Sequence, residues 1–464
     1  MAAPVTLLWF RDDLRVADHE ALAAARAAGP VVGLWLREEP DAAGDGPRRL
    51  GAASRWWAHR SLEVLSAELD ALGIPLLFGR GSGVTVVPAV VAGLGASVVR
   101  WTRRYAPSAR TADATLKAAL AASGVEVHSH PGFLLVEPWL VAPAGGPVYR
   151  VFTPFHRAAA EVPVGPLRGR PAAQVLPPAV VDAAARLTAT GVVMGLDALD
   201  LLDADPPWWA DTVGAHWVPG CVAADQALAD LPDAIAGYRT RRDRPDDAAS
   251  TSRLSPRLRF GEVSPRQALA ATRSAEVSAD DASAWVRQLY WREFSWHLTH
   301  HVPRLAWEPL RRQFAEFPWS PDAALLRAWQ RGRTGYGLVD AGLRQLWQTG
   351  WMHNRVRMVA ASFLVKNLLQ PWQAGEQWFW DTLVDADEAN NPVSWQWVAG
   401  CGADAAPYFR VFNPETQRER HDPEGAYVRR WVPEYGTDAY PAPVVDLAES
   451  RRRALDAYAL LRAR

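Results

Sequence analysis

The residues from 351 to 413 concentrate polar and aromatic side chains that could do chemistry. Asn354 and Met358 stand four residues apart in a helical pattern, so one helix face would combine an amide with an apolar surface. The helical pattern breaks at Gln370-Pro371 and resumes at Glu376. The last third of the stretch places acids, amides and tryptophans within a short span: Asp385, Asp387, Asn390, Asn391, Trp395 and Trp397.

A second group of residues lies upstream. Trp285, Gln288 and Trp291 recur every three residues, so they would share one face of a helix. An aromatic ring beside a hydrogen-bonding amide suits a flipped-out base, which needs a stacking surface and an edge reader. A stripe of core residues is the alternative, although a glutamine in such a stripe would need buried partners.

A third group consists of hydroxyl residues. Thr251, Ser252 and Ser255 precede a helix that we expect to begin near Pro265. Hydroxyl side chains together with free backbone N–H groups at the start of a helix can bind an anion. A simple helix N-cap is the alternative.

Two different patterns must position these residues. Up to about residue 130, apolar runs alternate with helical stretches, which indicates a doubly wound parallel sheet covered on both faces. From about residue 206, helical periodicity predicts an all-α domain, and the Pro-, Gly- and Ala-rich segment between favours irregular backbone. We therefore expect an α/β domain over 1–130, an interdomain linker over 131–205 and a larger all-α domain over 206–464. The expected strands are VTLLWF (5–10), VVGLWL (31–36), PLLFGR (75–80), SVVRW (97–101) and VEVHSH (125–130).

Composition excludes several classes of protein. The 464 residues suggest at least two domains, and 22% charged with 49% hydrophobic residues is typical of a soluble globular protein. The chain lacks a long apolar run and a basic flank before its first strand, so we expect neither a membrane span nor a secretory signal. Two cysteines, Cys221 and Cys401, indicate no disulfide framework and fit a reducing cytoplasm. We expect a cytoplasmic monomer without a metal site, because His297 and His301 lack the context of a metal motif.

The net charge of −1 is unusual for a DNA-binding protein, but charge can be segregated along a chain. Two groups of arginines could form local positive patches, with solvated helix surfaces as the alternative for any single one. They are Arg239, Arg241, Arg242, Arg244, Arg253, Arg257 and Arg259 in the first group, and Arg355, Arg357, Arg410, Arg418 and Arg420 in the second.

Taken in order, these motifs resemble those of the DNA photolyase/cryptochrome family, nearest to the microbial class I photolyases that repair cyclobutane pyrimidine dimers. The resemblance spans nearly the whole chain. It rests on WFRDDLR (9–15), TSRLSPRLRFGEVSP (251–265), WVRQLYWREF (285–294), TGWMHNRVRM (349–358) and NNPVSWQWVAGCGADAAPYFRVFNP (390–414).

The resemblance implies light-dependent DNA repair with FAD as cofactor. Excited reduced FAD would pass an electron to the dimer, the cyclobutane ring would split, and the electron would return. Arg357 would pair with Asp385, because a buried carboxylate without such a partner would be costly. The residues that the resemblance assigns to the cofactor are Tyr238, Thr251, Ser252, Arg253, Leu254, Ser255, Trp285, Arg292, Asn354, Arg357, Asp385, Asp387 and Asn391.

On the substrate side, the resemblance places the dimer between two tryptophans and beside position 288. Dimer-repairing members have glutamate at that position; Gln288 keeps the hydrogen-bonding capacity but lacks the negative charge and a possible proton source. The (6-4) photolyases place a histidine where Asn354 stands, which disfavours their activity here. The residues assigned to damaged DNA are Gln288, Trp291, Asn354, Arg355, Met358, Trp397 and Arg410.

A cryptochrome-like photoreceptor without repair activity is the alternative function, and Gln288 is the strongest argument for it. Asn391 favours the enzyme, since the resemblance places it beside flavin N5, where an amide is a poor proton donor and plant cryptochromes have aspartate. Trp395, Trp372 and Trp319 stand at the positions of the family's electron-transfer chain from flavin to surface.

Family members also bind an antenna chromophore at the interface of the two domains. Those that use folate carry an acid after a tyrosine near the position of Tyr105, and here the sequence is YAPSARTAD. A deazaflavin or a flavin is therefore favoured over a folate, and an α/β domain without any antenna remains the alternative.

Overall fold

Five parallel strands form the amino-terminal part of the fold. The computed structural model describes residues 4–41, 44, 46–202, 209–247, 249, 251–274, 276–405 and 409–463. The strands lie in the order β3-β2-β1-β4-β5, and every neighbouring pair is parallel. This arrangement confirms the predicted α/β class, with strands β1 (Thr6–Phe10), β2 (Val31–Glu38), β3 (Leu76–Gly81), β4 (Val98–Thr102) and β5 (Glu126–His130).

The first strand shows why the sheet is covered on both faces. Successive side chains of a strand point to opposite faces. Phe10 packs in a core cluster with Trp57, whereas Trp9 packs in a different cluster with Val87. The helices that supply these clusters are α1 (Glu20–Ala28), α2 (Ala52–Asp70), α3 (Gly83–Leu94) and α4 (Pro107–Ala122).

Residues 131–202 contain more regular structure than the sequence suggested. Helices α5 (Phe152–Ala160) and α6 (Pro178–Ala189) lie here, so the prediction of irregular backbone is wrong for both segments. Proline is compatible with the first turn of a helix, and Pro178 occupies that position in α6. Helix α6 packs against α3, where a Cβ on Gly93 would lie 2.4 Å from Leu187. The expected boundary at 205–206 lies outside the described residues.

The rest of the chain is helical, as predicted. Its two large core clusters are centred on Trp329 and Val356 in one case and on Leu289 and Phe294 in the other. Its helices are α7 (Trp209–Gly214), α8 (Cys221–Ala229), α9 (Leu231–Ile235), α10 (Tyr238–Arg241), α11 (Ser255–Arg259), α12 (Pro265–Ser274), α13 (Ala279–His301), α14 (Ala323–Gln330), α15 (Gly337–Thr349), α16 (Asn354–Ser362), α17 (Trp372–Thr382), α18 (Asn390–Ala399), α19 (Pro414–His421), α20 (Ala426–Trp431) and α21 (Leu447–Ala463).

The stretch around Pro371 differs from the prediction in one respect. Helix α16 continues into a π-helical turn over Phe363–Asn367, and the break at Pro371 is present. However, α17 begins at Trp372, four residues before the expected restart, because Pro371 directly precedes the helix and does not interrupt it.

The two parts of the chain meet through close backbone contacts. A Cβ on Gly51 would lie 2.0 Å from the Trp380 carbonyl oxygen, so only glycine allows this approach. Gly261 has a φ of 64°, and a Cβ there would lie 2.1 Å from the Asp12 carbonyl oxygen. These contacts set the segment after β1 and the start of α2 against the part of the chain that carries the motifs. Among the residues that the structure describes, no helix combines the length and apolar character needed to cross a bilayer.

Candidate functional site

An ion pair between Arg357 and Asp385 lies at the centre of the site. The guanidinium of Arg357, on α16, donates to both oxygens of Asp385, at 3.0 and 2.8 Å. The Ser255 hydroxyl donates to Asp385 Oδ2 at 2.6 Å. The Asp385 side chain is only 4% exposed, so these donors supply the partners that a buried carboxylate requires. The ion pair expected from the sequence is present, while its part in holding a cofactor stays a prediction.

Asn391 is held by a residue that the sequence reasoning did not assign to the site. Its amide nitrogen donates to the side-chain Oε1 of Glu376 at 2.8 Å and to the backbone oxygen of Glu376 at 3.0 Å. Glu376 is 1% exposed, and burial raises the pKa of its carboxyl although Arg48 opposes that shift. The signal in the sequence was a single acid within the aromatic segment WQAGEQWFW of α17.

Asp387 is committed to the start of α18. Its carboxylate accepts hydrogen bonds from the backbone N–H of Ala389 at 2.8 Å, from the backbone N–H of Asn390, and from the Asn390 side chain at 2.7 Å. Acceptors at this position satisfy backbone donors that have no partner inside the helix. Asp387 therefore fixes the first turn of the helix that carries Asn391, Trp395 and Trp397.

The hydroxyl motif precedes α11, a helix of only five residues, and α12 begins at Pro265 as expected. Ser252 accepts a hydrogen bond from the indole N–H of Trp285 at 3.2 Å. Leu254 is 2% exposed and belongs to a core cluster together with Tyr238, which is 7% exposed. Of the expected hydroxyl donors, Ser255 is therefore directed to Asp385 and Ser252 to Trp285.

Arg253 has an unusual conformation within this motif. Its φ is 50°, and its guanidinium carbon lies 4.1 Å from the ring centre of Trp217 and 5.2 Å from that of Trp351. Arg253 and Thr251 line a polar cavity of about 60 Å³. His353 lines it too, and burial lowers the pKa of its imidazole to about 4, so this side chain is uncharged at neutral pH.

Helix α13 carries the candidate base-binding face. Trp291 lies flat on Phe152, with 3.7 Å between ring centres and 6° between planes. Gln288 donates to the Ala284 carbonyl at 3.0 Å and accepts from Arg242 at 3.3 Å. Both ends of the Gln288 amide therefore have a hydrogen-bond partner, as an amide that is removed from water needs.

Two other faces meet around α18. Asn354 is exposed and its amide lies 3.9 Å from the sulfur of Met358, so the pair shares one face of α16 as predicted. The Trp397 indole N–H donates to the Asp404 carbonyl at 3.1 Å. Both α13 and α16 pack against α18, so the helices that carry Trp291 and Asn354 are neighbours of the helix that carries Asn391 and Trp397. Within NNPVSWQWVAGCGADAAPYFRVFNP, residues 406–408 lie outside the described part of the chain.

The three tryptophans of the expected electron-transfer chain share one core cluster. Trp395 and Trp372 are 2% and 1% exposed, and Trp319 is partly buried. A Cβ on Gly375, three residues after Trp372, would lie 2.1 Å from the Trp395 ring, so the glycine admits this ring against α17. Backbone atoms tie the Trp319 segment to the loop before Trp372, because Ser320 N–H donates to the Leu369 carbonyl at 2.8 Å.

The arginine groups are less positive than the sequence suggested, because acids neutralise many of them. Arg355 pairs with Asp243 at 2.7 Å and stays 21% exposed, and Arg410 contacts the ring of Phe412 at 5.8 Å. Arg292 contacts Glu293 at 3.1 Å and lies over Phe133 at 4.4 Å. Other paired arginines are Arg239 with Asp280, Arg241 with Asp247, Arg244 with Asp246, Arg257 with Glu262, Arg259 with Asp12, and Arg418 with Glu415.

A larger cavity of about 270 Å³ lies between the sheet and the helical part. Its wall combines arginines with aromatic rings, including Trp35, Tyr105 and Trp296. The Tyr105 hydroxyl and the Trp296 indole N–H are buried and have no hydrogen-bond partner within the described residues. Such atoms indicate room for a polar ligand, since buried polar groups normally find partners.

Comparisons with known sequences point to one family. A family model described as "FAD binding domain of DNA photolyase" matches residues 285–438, and one described as "DNA photolyase" matches residues 6–175. A deoxyribodipyrimidine photo-lyase of Agrobacterium fabrum is 42% identical, covering 99% of this chain and 98% of the relative. A protein of the same name from Thermus thermophilus is 41% identical, covering 97% of each chain.

Solved structures give the same result. A bacterial class III photolyase from Agrobacterium tumefaciens superposes with a TM-score of 0.91 at 40% identity, covering 100% of this chain and 98% of the other. An archaeal photolyase from Sulfolobus tokodaii with two FAD molecules has a TM-score of 0.81 at 27% identity, covering 98% and 100%. The sequence motifs are nearest to class I photolyases, whereas the first of these structures is a class III photolyase. Both classes belong to the same family.

Proposed function

The chain belongs to the DNA photolyase/cryptochrome family, and we propose that it uses light to split cyclobutane pyrimidine dimers in DNA, with FAD as cofactor. The observation that carries the proposal is the grouping around α18. Asn391 and Trp397 lie on this helix, and the two helices that carry Trp291 (α13) and Asn354 (α16) pack against it. Likeness to deoxyribodipyrimidine photo-lyases along nearly the whole chain supports the same reaction.

The residues present fit a flavin nucleotide. The Trp395 indole N–H is buried without a hydrogen-bond partner in the described part of the chain, one helical turn from Asn391. Arg357, Asp385 and Asn391 add donors and acceptors of the kind that the polar edge of a flavin ring needs. When bound, FAD supplies the light-driven electron with which the dimer ring is opened.

The remaining assignments for the cofactor follow the hydroxyl motif. Thr251 and Arg253, which line the polar cavity, would bind the phosphates, with Ser252, Leu254 and Ser255 shaping the backbone around them. Tyr238 and Trp285 would close the apolar side of the site. Arg292 and Asp387 would act on the cofactor site indirectly. Arg292 contacts Glu293, and Asp387 contacts the start of α18.

On the substrate side, this chain's residues bind and orient a flipped-out dimer. Trp291 and Trp397 offer ring faces for stacking, and Met358 adds an apolar surface. Gln288 would bond a base edge if its amide leaves Arg242, which lies at the long distance of 3.3 Å. Arg355 and Arg410 would bind phosphates, and such charged contacts would make binding weaken as salt increases.

Trp395, Trp372 and Trp319 would carry electrons between the protein surface and the flavin site. The rings of Trp395 and Trp372 are buried, and that of Trp319 is partly exposed. An outer donor in contact with solvent can be restored by a soluble reductant. The three tryptophans are needed only when the flavin has become oxidised, because the repair reaction itself does not consume electrons.

The interdomain cavity suits an antenna chromophore. Its volume of about 270 Å³ is near the lower end of small-molecule pockets, roughly 300 Å³. The wall holds arginines together with acids, such as Arg104 paired with Glu38, so it offers a ligand both donors and acceptors. The Trp296 indole adds a donor that has no partner among the described residues. We propose that a deazaflavin or a flavin binds here. Heating the protein to release the ligand, followed by mass spectrometry, would identify it.

We further propose that the chain divides into domains at 1–130, 131–205 and 206–464, and that the protein is a monomer.

The rival function is a photoreceptor of the cryptochrome kind, and Gln288 still favours it because its amide is already partnered. Binding of a duplex with one thymine dimer, compared with the undamaged duplex, separates the two. The proposed enzyme prefers the damaged duplex, and Trp291→Ala removes most of that preference. Trp347→Ala is a matched control, because Trp347 stacks on Trp378 away from this face. A protein that binds both duplexes equally would be the photoreceptor.

A further inference from the structure

Glu376 connects the candidate cofactor site to the segment that precedes α2. Its Oε1 accepts from the Asn391 amide at 2.8 Å and from Arg48 at 2.6 Å, and its Oε2 accepts from Arg48 at 3.2 Å. Its backbone oxygen accepts from the same Asn391 nitrogen at 3.0 Å. One buried carboxylate therefore bridges an arginine from the α/β part and an amide of the helical part.

These contacts determine which end of the Asn391 amide faces Glu376. Both partners at this end are acceptors, one a carbonyl oxygen and the other an ionised carboxylate. Only the NH₂ end of an amide can donate, so the nitrogen must be here and Oδ1 must point away from Glu376. With the nitrogen taken up, the carbonyl oxygen is the polar atom that Asn391 still has to offer.

Arg48 is itself fixed in place. Its guanidinium carbon lies 4.1 Å from the ring centre of Trp380 and 5.0 Å from that of Trp307. Its backbone N–H donates to Glu388 at 2.9 Å, and the next carbonyl, of Arg49, accepts from the Trp380 indole at 2.9 Å. The arginine is thus held against α17 independently of its bond to Glu376.

The charge of Glu376 depends on this arginine. Burial favours the protonated carboxyl, and the hydrogen bonds and charge of Arg48 oppose that effect. A protonated Glu376 would carry a donor that competes for the Asn391 oxygen, and only the backbone oxygen of Glu376 would then still hold the amide nitrogen in place. Arg48 therefore keeps the carboxylate in the form that holds the amide nitrogen.

We propose that Glu376 is a positioning residue of the cofactor site: with Arg48 as counter-ion, it holds the Asn391 amide so that the carbonyl oxygen is offered to the flavin. The inference rests on the proposed function, in which Asn391 lies beside the flavin ring. A carbonyl oxygen accepts from a protonated ring nitrogen and cannot donate to an unprotonated one. The arrangement therefore favours the reduced cofactor.

Three variants test this on the FAD-loaded protein. Arg48→Met removes the counter-ion. Glu376→Gln places a second amide whose oxygen Arg48 attracts, so that its NH₂ faces Asn391 and competes with the backbone oxygen of residue 376 for the orientation of that amide. Arg49→Met is the matched control, because the hydrogen bond that the described residues show for this exposed neighbour runs through its backbone carbonyl. The readouts are the midpoint potential of the bound flavin and the infrared band of the side-chain carbonyl in protein with isotope-labelled asparagine.

We expect the first two variants to shift the equilibrium between oxidised and reduced flavin toward the oxidised form by roughly tenfold, the effect of one hydrogen bond. The asparagine carbonyl band that shifts on reduction in the wild type should be lost in both variants and kept in Arg49→Met. Arg48→Lys should restore part of the effect, since it returns the charge without the two-point contact.

Folded, FAD-bound variants with the wild-type potential and carbonyl band would overturn the positioning role, whatever their repair activity. If Arg48→Met fails to fold, Glu376→Gln decides, because it leaves the segment around Arg48 intact. A wild type that binds FAD but does not repair dimers would contradict the proposed function alone, and the two flavin readouts would still decide the role of Glu376. A wild type that does not bind FAD would overturn both.

Discussion

Trp291 contacts two rings: it stacks flat on Phe152 at the start of α5 and meets Phe294 edge-on at 5.9 Å between centres. Phe152 is 0% exposed, stacks on Trp291 at 3.7 Å between centres, and has the guanidinium of Arg287 at 4.6 Å from its own ring centre. We predict that Phe152→Leu weakens binding of dimer-containing DNA. The freed indole must then be ordered on binding, at a cost of about 0.5–1.5 kcal/mol. That corresponds to roughly 2- to 12-fold weaker binding.

The same substitution also lowers stability, by about 1–3 kcal/mol from lost packing and stacking. Phe155→Leu separates the two effects. Phe155 lies on the same helix, is 1% exposed, and contacts Phe294 at 5.2 Å and His297 at 5.1 Å. It should lose similar stability while binding normally. Fluorescence anisotropy with a labelled dimer duplex and thermal unfolding measure both quantities. Equal affinity losses in the two variants, or none in Phe152→Leu, would refute the reasoning.

Three further predictions address the site and its surroundings. Gln288→Glu should raise the repair yield per absorbed photon, because it restores a negative charge and a possible proton source beside the dimer; an unchanged or lower yield in steady illumination would contradict this. Trp319→Phe should slow photoreduction of oxidised flavin, followed by absorbance, and leave repair by chemically reduced protein intact; equal loss of both would remove Trp319 from the electron path. Lys366 is 1% exposed with its ammonium bonded to the Ala399 carbonyl at 2.7 Å, and burial lowers its pKa well below 10.5. At pH values between this lowered pKa and 10.5, the unfolded chain binds more protons than the folded chain. The free energy of unfolding of the wild type should therefore rise with pH in this range. Lys366→Met should lack this rise and be at least as stable at pH 7 in denaturant titrations, and a parallel pH dependence in both proteins would contradict the assignment.

The sheet could be predicted from the sequence because its signals are local. Each strand is a short apolar run bounded by helical stretches, and the parallel arrangement follows from covering both faces. The same reasoning fails for α5 and α6: the proline and glycine content predicts irregular backbone, whereas both segments are helices. In α6, Val180, Ala183 and Leu187 repeat at helical spacing and are buried. The apolar spacing of a helix was therefore the stronger signal than the prolines before it.

The site was predictable where a residue type and its neighbours limit the possible partners. Arg357 and Asp385 are one example: the family resemblance pairs them, and a buried carboxylate such as that of Asp385 needs a partner. Glu376 and Phe152 were missed because their roles arise from contacts with residues far away in sequence: Arg48 lies 328 positions from Glu376. The positive patches expected from the arginine groups could not be checked from the sequence for the same reason. A count of charges does not show which acid lies beside which arginine, as Asp243 lies beside Arg355.

The central claim is that this chain turns light into repair of a cyclobutane dimer. The most direct test follows an oligonucleotide with one thymine dimer, mixed with the reduced, FAD-loaded protein, under blue light and in the dark. Chromatography with mass spectrometry then quantifies restored thymines per flavin. The account predicts several restored dimers per flavin in the light and none in the dark. Tight FAD binding and photoreduction without restored thymines in either condition would contradict it.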